Sequence, residues 1–366
     1  MGRLARAMVI EEHGRPLVLK EVEIPPLSEG EVLVKILASG VCGSDVHMWR
    51  GRDARNVLPM IPGHEGVGEV VEVCGEKRSV TGEPLRPGDR VIWDRGVTCG
   101  HCYYCAVLKE PSLCPERWAY GIHKPSSEFP YLNGCFASHL ILQANTHIVN
   151  LRNYPPVVPA VLVAAACSGG TAAHAFALAR PNVGDTVVVQ GPGPLGAFSV
   201  DFARAAGASN VVVIGGTSER LEICREFGAT CLLNRHDTTA EERIEVVKGL
   251  TGGRGADFVY ETTGAAESVR EGLAMLRAGG TYVTAGFGVP VGEVGVDWFR
   301  DIGCRNARIQ GVWVSDAQHL LAAVSLVTAQ PRKYERLVTC RFPLEDATRA
   351  LEAVERREVM KAVLIP

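Results

Sequence analysis

The sequence has little surplus charge, few aromatics and no long apolar run. Its 366 residues carry 38 Lys and Arg against 41 Asp and Glu, a net charge of −3. No cationic excess is left to neutralise a phosphate backbone or an anionic membrane surface, so neither nucleic acid nor membrane is expected as a partner. No uncharged stretch reaches the roughly 18 residues of a membrane span. The first residues include Arg3 and Arg6 but no apolar segment followed by a small-residue cleavage site, so no secretory signal is read there and a cytoplasmic location is expected. Twelve cysteines fall far short of a disulfide scaffold. Four of them, Cys99, Cys102, Cys105 and Cys114, crowd into one short segment, which in a reducing compartment points to metal. Glycine and proline, 40 and 21, stay below low-complexity levels. The length suits two domains.

Short apolar runs such as 31–38 and 68–73, bounded by turn residues such as Pro87-Gly88-Asp89, make residues 1–155 read as a β-rich domain. From about residue 156 strand-length runs (186–190, 211–214, 258–261, 281–284) alternate with helix-length segments (195–206, 218–227), the pattern of a parallel sheet flanked by helices. This α/β domain is expected over 156–298. Residues 299–366 return to mixed texture and end on the strand-like run 362–365, expected to rejoin the first domain.

Run 186–190 leads into Gly191-Pro192-Gly193-Pro194-Leu195-Gly196 and then into an apolar-faced segment. Between a strand and a helix, such glycines permit a tight turn, let backbone approach a pyrophosphate and let helix pack on strand, while the helix N-terminus supplies donors. The bland alternative is a turn without ligand. At the end of the next strand an acidic side chain would receive the ribose hydroxyls of NAD, but the position holds Gly215, followed by Gly216, Thr217 and Ser218. Without a carboxylate nothing repels a 2′-phosphate, and Thr217, Ser218 and Arg220 can donate to one, a lean towards NADP. The other reading is that Gly215 and Gly216 only make a turn and NAD binds through its remaining contacts.

The four clustered cysteines, at spacings of two, two and eight residues, suit one tetrahedral zinc with no open position, hence a structural site in a lobe of about residues 95–116. His101 between the first two reads as solvated. Three further groups are dispersed: Cys42-Gly43-Ser44-Asp45-Val46-His47, Gly63-His64-Glu65-Gly66-Val67-Gly68, and Cys167-Ser168-Gly169-Gly170-Thr171.

With these groups, the four-cysteine lobe, the glycine loop and the closing Lys361-Ala362-Val363-Leu364 in that order, the chain resembles the zinc-containing medium-chain alcohol dehydrogenases over essentially its whole length. It looks closest to the branch of sorbitol, threonine and other secondary-alcohol dehydrogenases. The resemblance implies a GroES-like β-rich catalytic domain, a Rossmann doubly wound parallel sheet, activity in the cleft between them, two zinc ions per chain, and NAD(P)-dependent interconversion of an alcohol with its ketone or aldehyde. By the same resemblance Cys42, His64 and Cys167 bind a catalytic zinc with a fourth position open, and Glu65 is a transient or alternative ligand. Asp45 supports the His64 ring, and Ser44 takes the alcohol proton and passes it towards His47. Thr171 and Lys361 join the glycine loop in contacting the cofactor. A homo-oligomer, dimer or tetramer, assembled through the Rossmann domain is implied as well.

The chain departs from the family pattern in places. Eight residues separate Cys105 from Cys114 where seven are usual, and Cys167 stands where some relatives carry glutamate. Arg95 falls where many relatives place an apolar pocket residue; it either meets an anionic substrate group or faces solvent. Trp49, Trp93, Trp118, Tyr120, Phe287 and Trp298 either line the cleft or belong to the core. Cys74, Cys135, Cys224, Cys231, Cys304 and Cys340 read as small buried hydrophobes. Two rivals remain: a zinc-lacking NADPH quinone or enone reductase of the same superfamily, which needs no joint presence of Cys42, His64 and Cys167, and a nicotinamide-binding sensor without turnover.

Overall fold

Two runs of alternating valine, Val32–Val41 and Glu65–Val73, pair antiparallel as the centre of the first sheet, with Val32 opposite Val73 and Gly40 opposite Glu65. The computed structural model describes residues 2–366. The sheet has seven strands in the order Val338–Pro343, Lys361–Ile365, Val32–Val41, Glu65–Val73, Arg90–Trp93 and Ile148–Asn150, with His139–Leu142 paired to Val32–Val41. Buried valine, leucine and isoleucine from its strands form two apolar clusters. The register matters for chemistry: Gly40 faces Glu65 on one side, and Val41 faces Ala362 on the other. Three strands distant in sequence thus bring Cys42, Glu65 and Lys361 to one place.

The other sheet has six parallel strands in the order Cys231–Asn234, Asn210–Gly215, Thr186–Gln190, Ala256–Glu261, Leu276–Thr284 and Arg308–Gly311. Counted from Thr186–Gln190 this is the order 3-2-1-4-5-6 of a doubly wound dinucleotide fold, whose switch point lies beside the first strand. Thr186–Gln190 is buried throughout, as a parallel strand covered on both faces must be.

The chain divides into two compact units, Met1–Gly170 with Ser315–Pro366, and Thr171–Val314. Both boundaries lie later than the expected 155/156 and 298/299. The helix Pro159–Leu162 and the 3₁₀ turn Val163–Ala166 pack on the central strands of the first sheet. At the other end Arg308–Gly311 still pairs with Leu276–Thr284 as the sixth parallel strand. No single helix among the described residues is long and apolar enough to cross a membrane.

Candidate active site

Cys42 directly follows the strand Val32–Val41 and caps the seven-residue helix Gly43–Trp49. Its N–H donates to Oδ2 of Asp45 at 2.7 Å, while Oδ1 of the same buried carboxylate meets Nδ1 of His64 at 3.1 Å. One aspartate therefore fixes the start of the helix and the orientation of an imidazole, leaving Nε2 of His64 turned the other way. Ser44 Oγ lies 3.4 Å from that Nε2. Cys167 follows the 3₁₀ turn Val163–Ala166. Ligand atoms of Cys42, His64, Glu65 and Cys167 all lie within 4.8 Å of one another, so residues separated by more than a hundred positions converge on one point.

The electrostatics fit a divalent cation. The bond to Cys167 dominates in holding the Cys42 thiol well below its usual value, against burial and with help from His64 and Lys361, while Cys167 is pushed up by the same bond and by burial. Burial opposes the charge of His64, but the carboxylate of Asp45 outweighs it and raises the imidazole to about 10. A cation bound here would be held by two thiolates and a neutral imidazole, whose protons leave on binding. This soft donor set suits zinc, with three protein ligands and one open position. Behind it Lys361 donates to both oxygens of Glu65 at 2.9 and 2.8 Å and to the Val41 carbonyl at 3.4 Å. Expected as a cofactor contact, Lys361 is instead buried and committed to Glu65, because its strand pairs directly with the one that carries Val41.

Arg95 is 5% exposed. Of its two possible orientations the structure adopts the inward one, with the guanidinium in electrostatic reach of Cys167 and Cys42. His47 is half-buried and its Nδ1 has no hydrogen-bond partner among the described residues. Burial, reinforced by Arg52, keeps its pKa below the usual histidine value. Trp49, Trp93 and Tyr120 are core residues; the Trp49 indole donates to the Arg15 carbonyl at 2.6 Å and the Tyr120 hydroxyl pairs with Thr146 at 2.6 Å. Trp298 is 71% exposed, and Cys304 is exposed rather than buried.

In the lobe, the sulfurs of Cys99, Cys102, Cys105 and Cys114 also gather within 4.8 Å of one another, with Cys99 and Cys114 3.6 Å apart. Tetrahedral zinc–thiolate bonds imply S···S separations of about 3.8 Å. The backbone N–H of Cys105 is the main cause that lowers the Cys102 thiol to about 7. The lobe contains a single π-helical turn, Tyr103–Val107, and Lys109 takes φ +60°.

In the second unit each loop glycine has its own reason. Gly191 has φ +113°, and a Cβ there would meet Thr262 Oγ1 at 2.8 Å. A side chain at Gly196 would run into the Gly191 carbonyl, whereas one at Gly193 would meet nothing within 4 Å. The middle glycine therefore opens the loop outward, at the N-cap of the helix Pro194–Ala205, which no side chain caps; this is the cradle a pyrophosphate needs. Thr171 is buried in the helix Ser168–Leu178. Gly215 proves to be required by packing: a Cβ would stand 2.6 Å from Cδ of Pro192 and 3.3 Å from Leu221. Next to it, a Cβ on Gly216 would meet His236 Nε2 at 2.7 Å and Arg235 Nε at 2.9 Å, and the Arg235 N–H donates to the Gly215 carbonyl at 2.8 Å. These two basic side chains follow the strand Cys231–Asn234, too far along the sequence for the loop motif to announce them.

An alcohol dehydrogenase GroES-like domain family matches residues 28–153, and a zinc-binding dehydrogenase family matches residues 194–329. The chain is 32% identical over 364 residues to the 5-exo-hydroxycamphor dehydrogenase of Pseudomonas putida, covering 98% of each. It is 36% identical over 345 residues to the L-threonine 3-dehydrogenase of Streptomyces coelicolor, covering 92% of this chain and 93% of the relative. An alcohol dehydrogenase of Thermotoga maritima matches the structure with a TM-score of 0.96 and 48% identity over the whole of both chains. A zinc-binding dehydrogenase of Sinorhizobium meliloti, solved with NADP, matches with 0.85 and 26%, again over the whole of both chains.

Proposed function

The chain belongs to the zinc-containing medium-chain alcohol dehydrogenases, enzymes of NAD(P)-dependent alcohol oxidoreduction, and within that activity we propose two zinc ions per chain and a secondary alcohol as substrate. The convergence of Cys42, His64 and Cys167 around one point carries the proposal. These three hold the catalytic ion, with Glu65 the neighbouring carboxylate, and Cys99, Cys102, Cys105 and Cys114 hold the structural one. When bound, the catalytic zinc supplies a Lewis acid and the nicotinamide accepts the hydride.

The chain's own groups do the rest. Asp45 keeps Nδ1 of His64 occupied so that Nε2 serves as the ligand. Ser44, beside that nitrogen, receives the proton of the substrate hydroxyl, and His47 is the next acceptor outward, its neutral form favoured by burial. The loop Gly191, Gly193, Pro194, Leu195 and Gly196 receives the pyrophosphate, with Thr171 contributing to the cofactor site. Gly215, Gly216 and Thr217 border the adenosine ribose, where Arg220 and the neighbouring Arg235 and His236 favour a 2′-phosphate, hence NADP at least as readily as NAD.

Assembly as a dimer or tetramer through the second unit is supported by its sheet edge: the outer strand Arg308–Gly311 exposes Ile309, with Trp298, Phe299 and Trp313 also exposed nearby in sequence. A cytoplasmic location follows from the thiol-rich metal groups. Metal analysis with a panel of secondary alcohols and both cofactors tests the reading. About two zinc ions per chain and zinc-dependent turnover are expected; turnover that survives complete removal of metal would overturn it.

A further inference from the structure

The turn that follows the strand Ala256–Glu261 is held by a buried carboxylate. Oε1 of Glu261 accepts from the N–H groups of Thr263 and Gly264 at 2.6 and 2.8 Å and from the Thr263 hydroxyl at 2.5 Å. Its Oε2 is buried without a hydrogen-bond partner among the described residues and stands 2.6 Å from where a Cβ of Gly286 would be. Parallel register sets Glu261 beside Gln190, so the next residue arrives at the glycine loop. There the Thr262 N–H donates to the Gln190 carbonyl at 2.9 Å, and the Thr262 hydroxyl donates to the carbonyls of Gln190 and Gly191 at 2.7 and 3.1 Å. From the other side the helix start closes in on the Gly191 carbonyl, since a Cβ on Gly196 would run into it. That carbonyl is thus turned inward, between the Thr262 hydroxyl and Gly196.

The direction of this one carbonyl matters because the loop has few donors to set against it. Pro192 and Pro194 have no N–H, the Gly191 N–H is spent on the Ile214 carbonyl at 2.8 Å, and the Ala197 N–H on the Gly193 carbonyl at 2.9 Å. Gly193, Leu195 and Gly196 are left to offer N–H groups to an anion. We propose that Glu261 and Thr262 are positioning residues of the cofactor site: Glu261 holds the turn that presents the Thr262 hydroxyl, and that hydroxyl keeps the Gly191 carbonyl away from the pyrophosphate of the dinucleotide. The proposal rests on the reading of Gly191 to Gly196 as the pyrophosphate loop. Glycine rotates freely, and a loop that is competent only part of the time binds with an apparent Kd raised by the inverse of that fraction. Loss of the hydroxyl strands a carbonyl and shifts that balance by roughly 3- to 15-fold.

The test uses the full-length enzyme with its Thr262→Val, Thr262→Ser and Glu261→Gln variants and the Glu261→Gln/Thr262→Val double variant, titrated with NAD, NADP and ADP-ribose. Thr262→Val keeps the volume and loses the hydroxyl; it is expected to raise the Kd of all three ligands together by roughly 3- to 15-fold, since all carry the pyrophosphate, while kcat at saturating cofactor changes by less than about threefold. Thr262→Ser, which loses the methyl and keeps the hydroxyl, is expected to bind within about twofold of the native enzyme. Glu261→Gln should weaken binding in the same direction, and, because Glu261 acts through Thr262, the double variant should bind no worse than Thr262→Val alone. A role in packing alone would lower the melting temperature and leave the Kd of the folded protein in place. Native-like binding by Thr262→Val, or a serine variant as weak as the valine one, overturns the role of the hydroxyl, and effects that simply add in the double variant overturn the role of Glu261. If Thr262→Val does not fold, Glu261→Gln and Thr262→Ser decide: weaker binding by the first with native binding by the second supports the proposal, and native binding by both overturns it. A native enzyme that binds none of the three ligands overturns the loop reading itself, an outcome distinct from equal binding by native and variant proteins.

Discussion

Lys361 and Glu65, 296 positions apart, form a buried ion pair in which the ammonium donates to both carboxylate oxygens at 2.8 and 2.9 Å and neither residue exceeds 2% exposure. Lys361 stays charged because the attraction of Glu65, followed by that of Cys42, outweighs the burial that opposes it. Lys361→Met leaves a carboxylate without its partner, and the expected loss is roughly 3–5 kcal/mol of stability. Adding Glu65→Leu removes the stranded charge and should restore much of that loss. Denaturant melts of the native, single and double variants check this; a double variant no more stable than the single one would show that the charge is not the cause.

Cys102→Ser is expected to lower melting temperature and solubility more than it alters turnover per folded molecule, because a closed metal site contributes folding free energy to a lobe with little core of its own. Tyr103, Val107 and Leu108 of that lobe are exposed, so little apolar burial remains to hold it. Melting curves and zinc content before and after substitution are the measurement. Unchanged values for both would contradict the assignment.

Cys42→Ala should leave the lobe metal in place while the second metal is lost and turnover collapses, since the Lewis acid is worth several kcal/mol to the reaction. Circular dichroism should stay close to that of the native protein. Near-normal turnover with that metal gone would refute the roles given to Cys42, His64 and Cys167.

Much of this site was legible in the sequence because its chemistry is local. The x2, x2, x8 cysteine spacing and the glycine loop each need only one turn of chain to act, and Cys42 reaches Asp45 within one helical turn. The features the sequence left open depend instead on contacts between distant segments. Lys361 meets Glu65 through strand register, and Gly215 is small because Pro192 of another loop lies against it. Whether Arg95 points inward depends on where the turn before Cys167 packs. The unit boundary shifts for a related reason: 159–170 is helical and apolar like the α/β segment that follows, but its burial partners belong to the first sheet.

Ser44→Ala should reduce alcohol oxidation by about 10²-fold through loss of positioned proton transfer, and His47→Gln by less. His47 also carries a pH signature. Its folded pKa lies below the usual value because burial penalises the cation, so the folded protein takes up its proton less readily than the unfolded chain. The stability tied to neutral His47 is present above about pH 6.5 and is lost as pH falls through the lower folded value. His47→Gln should therefore melt with a smaller difference between about pH 7.5 and about pH 5.5 than the native enzyme. A larger penalty from His47→Gln than from Ser44→Ala in turnover would reverse the assigned relay.

Cofactor choice turns on the charges near the end of the strand Asn210–Gly215. A carboxylate about 4 Å from a 2′-phosphate repels it by roughly 1 kcal/mol per charge pair in water and about 4 at an effective dielectric near 20, and a guanidinium attracts it by the same amounts. No carboxylate stands at Gly215, and Arg235 reaches Gly216 from the following loop. The native enzyme should accept NADP at least as well as NAD. Replacing Gly215 with aspartate is an unsound test, since Pro192 already occupies the space of its Cβ and the substitution would shift the pyrophosphate loop for both cofactors. Arg235→Gln and Arg220→Gln leave the glycine turn intact. Each should raise the Kd of NADP by roughly 5- to 50-fold, the scale of one partly screened charge pair, while NAD binding changes less than about twofold. Fluorescence titration of both cofactors on the three proteins decides it. A native enzyme preferring NAD tenfold or more would show that Gly215 reflects only its contact with Pro192.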